Sequence, residues 1–343
     1  MAPYPAFDAA PTVDGVIPAS IRFPPEVVLA RAADAIPAET ALPGGCRFEP
    51  KWDGFRVTIV CDAVTSMWSR RGTDLTGIFP EIVAAARDQL PLQSIFDGEL
   101  VIWRDERLAF DALLKRLSSG ARRARSLARE LPAHLVLFDV LALDGLDARR
   151  LRFDDRRELL VETLDAAAPP ILLSPMTTDR AEAEAWSADM AAAGIEGLVV
   201  KGGAQPYRPG ERLWVKVKRR ETVDVVLGAV IGTIREPASI VVGAVLDGRL
   251  RVTGQSAPLN HGQAHTLGSL LAPPSRPHPW PTQLSQAALG RFRAGGDPTI
   301  MTLVEPVIAE VSADAARTAE AFRHTVRFQR LRPDLPVPDF TRE

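Results

Sequence analysis

The hydrophobic patterning of this chain changes near residue 220, and that change restricts the possible folds more than any single motif does. Before it, apolar β-branched runs alternate with stretches of helical periodicity; after it, short strand-like runs dominate. The first part reads as strands at Phe55–Cys61, Glu99–Trp103, His134–Leu143, Leu198–Lys201 and Leu213–Lys218. Helices are expected at Thr76–Leu90, Phe153–Ala166 and Ala181–Ala193, the last stopped by Gly194. In Thr76–Leu90, Phe79, Ile82, Val83, Ala86 and Leu90 share one face, and Pro80 suits a first turn. No glycine-rich phosphate loop interrupts the alternation, so neither a Rossmann nor a P-loop reading is supported.

In the second part Val223–Ile231, Ile240–Leu246, Leu250–Thr253 and Leu303–Val311 look like strands, with Asp247-Gly248 as a hairpin turn and a helical run at Gly262–Leu271. Short strands with one helix in so small a region suit an OB-fold β-barrel. The expected class is α+β. It has a poorly ordered Pro/Ala-rich lead-in over residues 1–22, a mixed strand–helix domain over 23–220 and the barrel over 221–343.

Composition removes several classes of function. A length of 343 residues allows two or three domains, and 46% hydrophobic with 24% charged residues is ordinary for a soluble protein. A net charge of −2 argues against a chain that is basic throughout, while leaving room for local basic patches on nucleic acid. Cys46 and Cys61 are the only cysteines, which excludes a disulfide scaffold and a cysteine-based zinc module and fits a reducing cytosol. No apolar run approaches the roughly 20 residues of a membrane span, and the N-terminal segment lacks the features of a signal peptide. The expectation is a cytoplasmic monomer with no membrane association.

Several segments carry groups whose chemistry makes most sense in combination. Lys51-Trp52-Asp53-Gly54-Phe55-Arg56 supplies a lysine just before a strand. A lysine amine is nucleophilic only once deprotonated, and other cations in one cleft promote that loss. Taken alone, Lys-x-Asp-Gly is more often a surface turn. Asp97-Gly98-Glu99 places two carboxylates on one face at the start of a strand, able to hold a ribose hydroxyl and a divalent cation. In isolation an exposed turn is the better reading of that tripeptide too. Phe138 beside Asp139 suits stacking on a purine, although a buried Phe is more often core. Glu196 opens the apolar run that ends at Lys201, and a carboxylate at a strand mouth suits Mg²⁺.

In Trp214-Val215-Lys216-Val217-Lys218 the valines face the core while both lysines share the other face, as phosphate binding requires; a solvated strand face is equally plausible alone. The stretch Lys115–Arg129 has six basic residues and no acid, and can follow a phosphate backbone or simply form a solvated helix. A second cationic run spans residues 323–334. His261 and His265 have helical spacing but no third ligand, so they read as helix surface and not as a zinc site.

The order and spacing of these motifs resemble those of the covalent nucleotidyltransferases, the superfamily of DNA ligases, RNA ligases and mRNA capping enzymes, over about Phe48 to Asp334. The segments Glu49–Arg56, Ser69-Arg70, Asp97–Leu100, Glu196-Gly197, Trp214–Lys218 and Phe322–His324 look most like the short bacterial ATP-dependent DNA ligases. Those consist of a nucleotidyltransferase domain, ATP-grasp-like in fold, followed by an OB domain. The resemblance implies that Lys51 attacks the α-phosphate of ATP and carries AMP through a P–N bond. It places Glu49 near the adenine amine, Phe138 on the base, and Glu99 on the ribose. It implies that Arg56 and Arg70 contact AMP or a nick 5′-phosphate, that Glu99 and Glu196 hold Mg²⁺ or Mn²⁺, and that Arg212, Lys216 and Lys218 line the phosphates. Arg332 and Asp334 would close over pyrophosphate by a hinge near residues 219–222. In many relatives a lysine follows that aspartate, whereas Leu335 stands here.

The implied substrate is nicked double-stranded DNA at the bacterial nucleoid, in repair or end joining with partner proteins. Without the N-terminal DNA-binding domain of larger ligases, modest and salt-sensitive nick affinity is expected. The nearest alternative is an RNA ligase or a GTP-using capping enzyme, although capping enzymes usually carry Asp where Glu196 stands. An NAD⁺-dependent ligase would need a further N-terminal domain and usually a four-cysteine zinc module. A non-catalytic nucleic-acid-binding protein is the alternative from another class, opposed by intact Lys51, Glu99, Glu196 and Lys218.

Overall fold

The computed structural model describes residues 17–190, 192–284, 298–314, 322 and 325–341. The chain divides between Lys218 and Arg219 into two compact units. The first contains two sheets. A four-stranded sheet runs in the order Ala30–Ala33, Trp214–Lys218, Gly197–Gly202, Cys46–Pro50. A seven-stranded sheet has Ser66–Ser69, Phe55–Cys61, Ser94–Arg104, Ala133–Leu143 and Leu146–Asp147 in order, with Arg107–Leu108 and Ile171–Leu173 on side branches.

Helices cover the seven-stranded sheet where the sequence periodicity asks for it. Pro80–Gln89 starts at its proline and buries Ile82 and Ala86 against Val57, Ile59 and Leu137 of the sheet. Phe153–Thr163 contributes Leu160 to the same core. The basic stretch folds as helices Phe110–Ser119 and Ala124–Glu130, anchored by buried Leu113 and Leu127. Lys115, Arg122, Arg123, Arg125 and Arg129 are exposed, but Arg116 is not. It is fully buried and paired with Glu81, so one of the six cations belongs to the core.

The lead-in expected over residues 1–22 ends earlier than its composition suggests. Residues 1–16 lie outside the described part, but Ile17 and Ile21 are buried in the cluster that includes Val27, Val28, Phe138 and Trp214. Two isoleucines four apart supply enough apolar area to tie down a segment that looks featureless by periodicity.

The second unit has one antiparallel five-stranded sheet in the order Arg249–Gln255, Pro237–Leu246, Arg220–Gly232, Thr302–Asp314, Arg327–Leu331. A parallel bridge between Ser256 and Val326 joins the ends of the first and last of these. The helix His261–Leu270 lies between the third and fourth strands in sequence, capped reciprocally by Asn260 and Gln263. It buries Leu267 against Val225, Ile240 and Val311. His261 and His265 are exposed on it. Asp247 and Gly248 both take positive φ, as a tight hairpin demands.

Candidate active site

The site grows from the end of the Cys46–Pro50 strand. Past Pro50, the Lys51 N–H donates to the Gly197 carbonyl at 2.8 Å, and the Glu196 N–H donates to the Lys51 carbonyl at 3.0 Å. Two backbone bonds thereby hold Lys51 beside Glu196, and the side chains pair as well, Lys51 Nζ donating to Glu196 Oε2. Lys218 Nζ lies 3.6 Å from that oxygen. One buried carboxylate therefore faces two ammonium groups. Two glycines permit close backbone approach in the seven-stranded sheet that faces this cluster. A Cβ on Gly54 would lie 2.0 Å from the Leu100 carbonyl oxygen, and one on Gly98 would lie 2.7 Å from that of Val136. No other residue fits where strands approach so tightly.

A cleft of about 250 Å³ opens between the two sheets of this unit. Lys216, Val199 and Glu49 are successive cross-strand partners, so their side chains share one wall. The opposite wall carries Arg56, which pairs in register with Glu99, and Phe138. Between Ser94–Arg104 and Ala133–Leu143 the register steps from Asp97↔Asp139 to Gly98↔Leu137, leaving Phe138 unpaired in a bulge. Bulges re-aim side chains, and this one turns the Phe138 ring into the cleft, edge-on to Trp214 at 6.0 Å. Arg70 and Arg212 reach the rim with exposed side chains.

The carboxylates read as one pair from the sequence have separate duties. They lie inside Ser94–Arg104 and not at its start, because Ile95 and Phe96 belong to the same strand. Asp97 is fully buried and accepts from Arg56 Nε at 3.0 Å, Arg56 Nη2 at 2.6 Å and the Tyr207 hydroxyl at 2.6 Å. Arg56 also donates to the Val28 carbonyl at 2.6 Å, so most of its donors are committed within the protein. Glu99 is pushed up to about 8, chiefly by burial, with Lys51 and Arg56 pulling the other way and Asp97 and Asp53 adding to the rise. Near neutral pH it is largely a carboxylic acid, able to donate to and accept from a hydroxyl. In the resting chain that suits ribose better than a cation. The Lys216 ammonium is held below the usual lysine range by burial and by Lys51, Lys218 and Arg70, with Glu196 opposing.

The structure thus brings Lys51, Glu49, Arg56, Arg70, Glu99, Phe138, Arg212 and Lys216 to one cleft, with Glu196 and Lys218 joined to it through Lys51. Arg332 and Asp334 belong to the second unit, where Arg332 Nη2 donates to Asp334 at 2.8 Å and Nη1 reaches Asp224 at 3.3 Å. Leu335, standing where a lysine was expected, packs against the apolar cluster around Val226 and Ile308. Arg323 and His324 lie outside the described residues. Sequence reasoning missed Lys201, Trp214 and Trp52 as cleft residues. Parity offered a signal for the first, since Lys201 alternates onto the same strand face as Val199.

A family model for the ATP dependent DNA ligase domain matches residues 28–218, which hold every cleft residue above. The chain belongs to the ATP-dependent DNA ligase family. DNA ligase C2 of Mycolicibacterium smegmatis is 35% identical to this ligase over 315 residues, covering 85% of this chain and 88% of that one. The multifunctional non-homologous end joining protein LigD of Mycobacterium bovis is 28% identical over 305 residues, 86% of this ligase but 37% of LigD. A solved structure from work on Lig E DNA ligases shares the fold over 90% of this ligase and 99% of its own chain, at 16% identity and a TM-score of 0.53. The relatives named here are DNA ligases or end-joining proteins, and none favours the RNA-ligase or capping alternative.

Proposed function

We propose that this ligase seals nicks with 3′-hydroxyl and 5′-phosphate ends in double-stranded DNA through a lysyl-AMP at Lys51. The observation that carries the reading is the Lys51 amine held against buried Glu196, in a cleft that also presents Lys216, Glu99, Glu49 and Phe138. The cleft offers an aromatic face and a carboxylate for adenine, a carboxylic acid for ribose, and cations for the triphosphate. In the first step Lys51 Nζ bonds to the α-phosphorus, the bond to pyrophosphate breaks, and Glu196 is the acceptor in contact with the amine proton. Lys216 and Lys218 stabilise charge that develops on the phosphates. AMP then passes to the 5′-phosphate of the nick, and the 3′-hydroxyl displaces it.

Glu196 fits Mg²⁺ or Mn²⁺, and Glu99 would join it once the cation's charge ionises its carboxyl, since such an ion takes one or two carboxylates together with phosphate oxygens and water. No group of three metal-ligating side chains occurs among the described residues, so phosphate oxygens and water would supply the remaining ligands. The cation would neutralise phosphate charge. In the second unit, the strand order, the parallel closure at Ser256 and Val326 and the helix between the third and fourth strands support the OB reading. Arg332 and Asp334 enter the scheme as groups that this domain brings to the nucleotide. The relatives' names support a role in repair or end joining. Incubation with ATP labelled at the α-phosphate should leave label on the wild-type chain and none on Lys51→Ala; covalent labelling of the variant would reject Lys51 as the carrier.

A further inference from the structure

Lys201 is the one fully buried lysine in the cleft wall, and its ammonium spends its donors inside the protein. It lies 2.8 Å from Glu49 Oε2 and 3.1 Å from Glu49 Oε1, and donates to the Phe138 carbonyl at 2.9 Å. The rings of Trp214, Phe153 and Phe138 surround it at 4.4, 4.6 and 4.7 Å. Asp139, at 4.0 Å, is already held by Arg156 at 2.7 Å, so the carboxylate that Lys201 serves is Glu49. The same ammonium thus ties together the carboxylate and the backbone of the aromatic assigned above to the base.

The geometry points to Lys201 as a positioning residue that sets the choice of nucleobase by holding Glu49 as an oriented, ionised acceptor. This rests on the lysyl-nucleotide reading above. Adenine presents an amine donor where guanine presents a carbonyl acceptor. An ionised carboxylate accepts from the first and repels the second, whereas a neutral carboxyl can donate to guanine. Burial pushes the Glu49 carboxyl up, toward its neutral form; Lys201, by charge and by hydrogen bond, is the chief group pulling it back, with Arg157 adding to it. With an ammonium saturated from behind, Lys201 cannot itself donate to a guanine carbonyl. Its contact with the Phe138 carbonyl fixes the bulge that aims the ring, so edge and face recognition stay in register.

The test is covalent self-labelling with α-phosphate-labelled ATP and, separately, GTP, measuring rate and half-saturation for each. Lys201→Met should lower the ATP-over-GTP preference by about tenfold or more, the worth of a charged hydrogen bond, with the half-saturation for ATP rising. Lys201→Arg, which keeps the cation, should retain more of the preference than Lys201→Met. Glu49→Gln should lose the preference, and adding Lys201→Met to it should change the ratio little further, because the lysine acts through the carboxylate. A Lys201→Met chain that labels with unaltered preference, or two losses that simply add, would overturn the assignment. Retained preference in Glu49→Gln would do so even if Lys201→Met does not fold. A wild-type chain that labels with neither nucleotide would instead remove the lysyl-nucleotide reading itself.

Discussion

Cys61 shows how far burial alone sets chemistry in this molecule. It sits fully buried on the Phe55–Cys61 strand, and burial pushes its thiol up to about 12, with a hydrogen bond to Ser94 acting weakly in the other direction. Only the thiolate reacts with alkylating agents, and the folded state favours the thiol until pH approaches that value. At pH 8 the native chain should therefore leave Cys61 unmodified by iodoacetamide, and urea should expose it. Peptide mass mapping decides this, and native labelling at the pace of a free cysteine would contradict it. The cleft residues obey similar rules with partners added, and that explains which of them the sequence made legible. Glu99, Lys216 and Lys218 stand on strands in short motifs whose spacing sets their faces, while Lys51 and Glu196 sit in motifs that flank the strands Cys46–Pro50 and Gly197–Gly202. Lys201 and Trp214 were harder to see because an apolar run usually means core. Here it means a cleft wall with one compensated charge in it.

Among the elements, the helices and hydrophobic strands followed from periodicity, while the strand that delivers the nucleophile did not. Cys46–Pro50, the edge strand of its sheet, alternates Arg47 and Glu49 with Cys46 and Phe48, which resembles a strand with a solvated charged face. Arg47 instead pairs with Asp154 at 2.6 Å, and Glu49 is buried against Lys201. The Phe138 bulge was equally hidden, because a bulge is a property of two strands in register and not of one. The same holds for the helix Phe110–Ser119, whose basic appearance conceals Arg116. That guanidinium is fully buried, pairs with Glu81, donates to the Ile78 carbonyl at 2.7 Å and stacks 4.3 Å from the centre of the Phe79 ring. Glu81→Ala would leave the cation buried without its counter-charge, at a cost on the order of 3 kcal/mol. The urea midpoint should fall at unchanged slope. Arg116→Met added to Glu81→Leu should recover much of the loss, because an apolar pair requires no charge compensation. A midpoint unmoved by Glu81→Ala would mean that the Ile78 and Leu131 carbonyls alone suffice.

The whole molecule is nearly neutral, yet its reading requires it to hold a polyanion, so cation placement has to compensate for net charge. The patterning change near residue 220 agrees with the division between Lys218 and Arg219, and it was visible because helical periodicity gives way to strand alternation there. Five exposed cations, Lys115, Arg122, Arg123, Arg125 and Arg129, cluster on the short helical segments between Phe110 and Glu130. No acid lies between Lys115 and Arg129. If these side chains follow the DNA backbone, each phosphate contact releases counterions, and binding weakens with salt at a slope of about −0.9 per contact. Replacing Arg122, Arg123 and Arg125 together by Gln should therefore flatten the salt dependence of nick binding by up to about 2.7 in log–log slope. Affinity should fall most at low salt, where counterion release contributes most. Self-labelling by ATP involves no DNA and provides the internal reference. A triple variant with an unchanged salt slope would show these arginines to be solvated and idle, and would move the DNA-binding surface elsewhere on the chain.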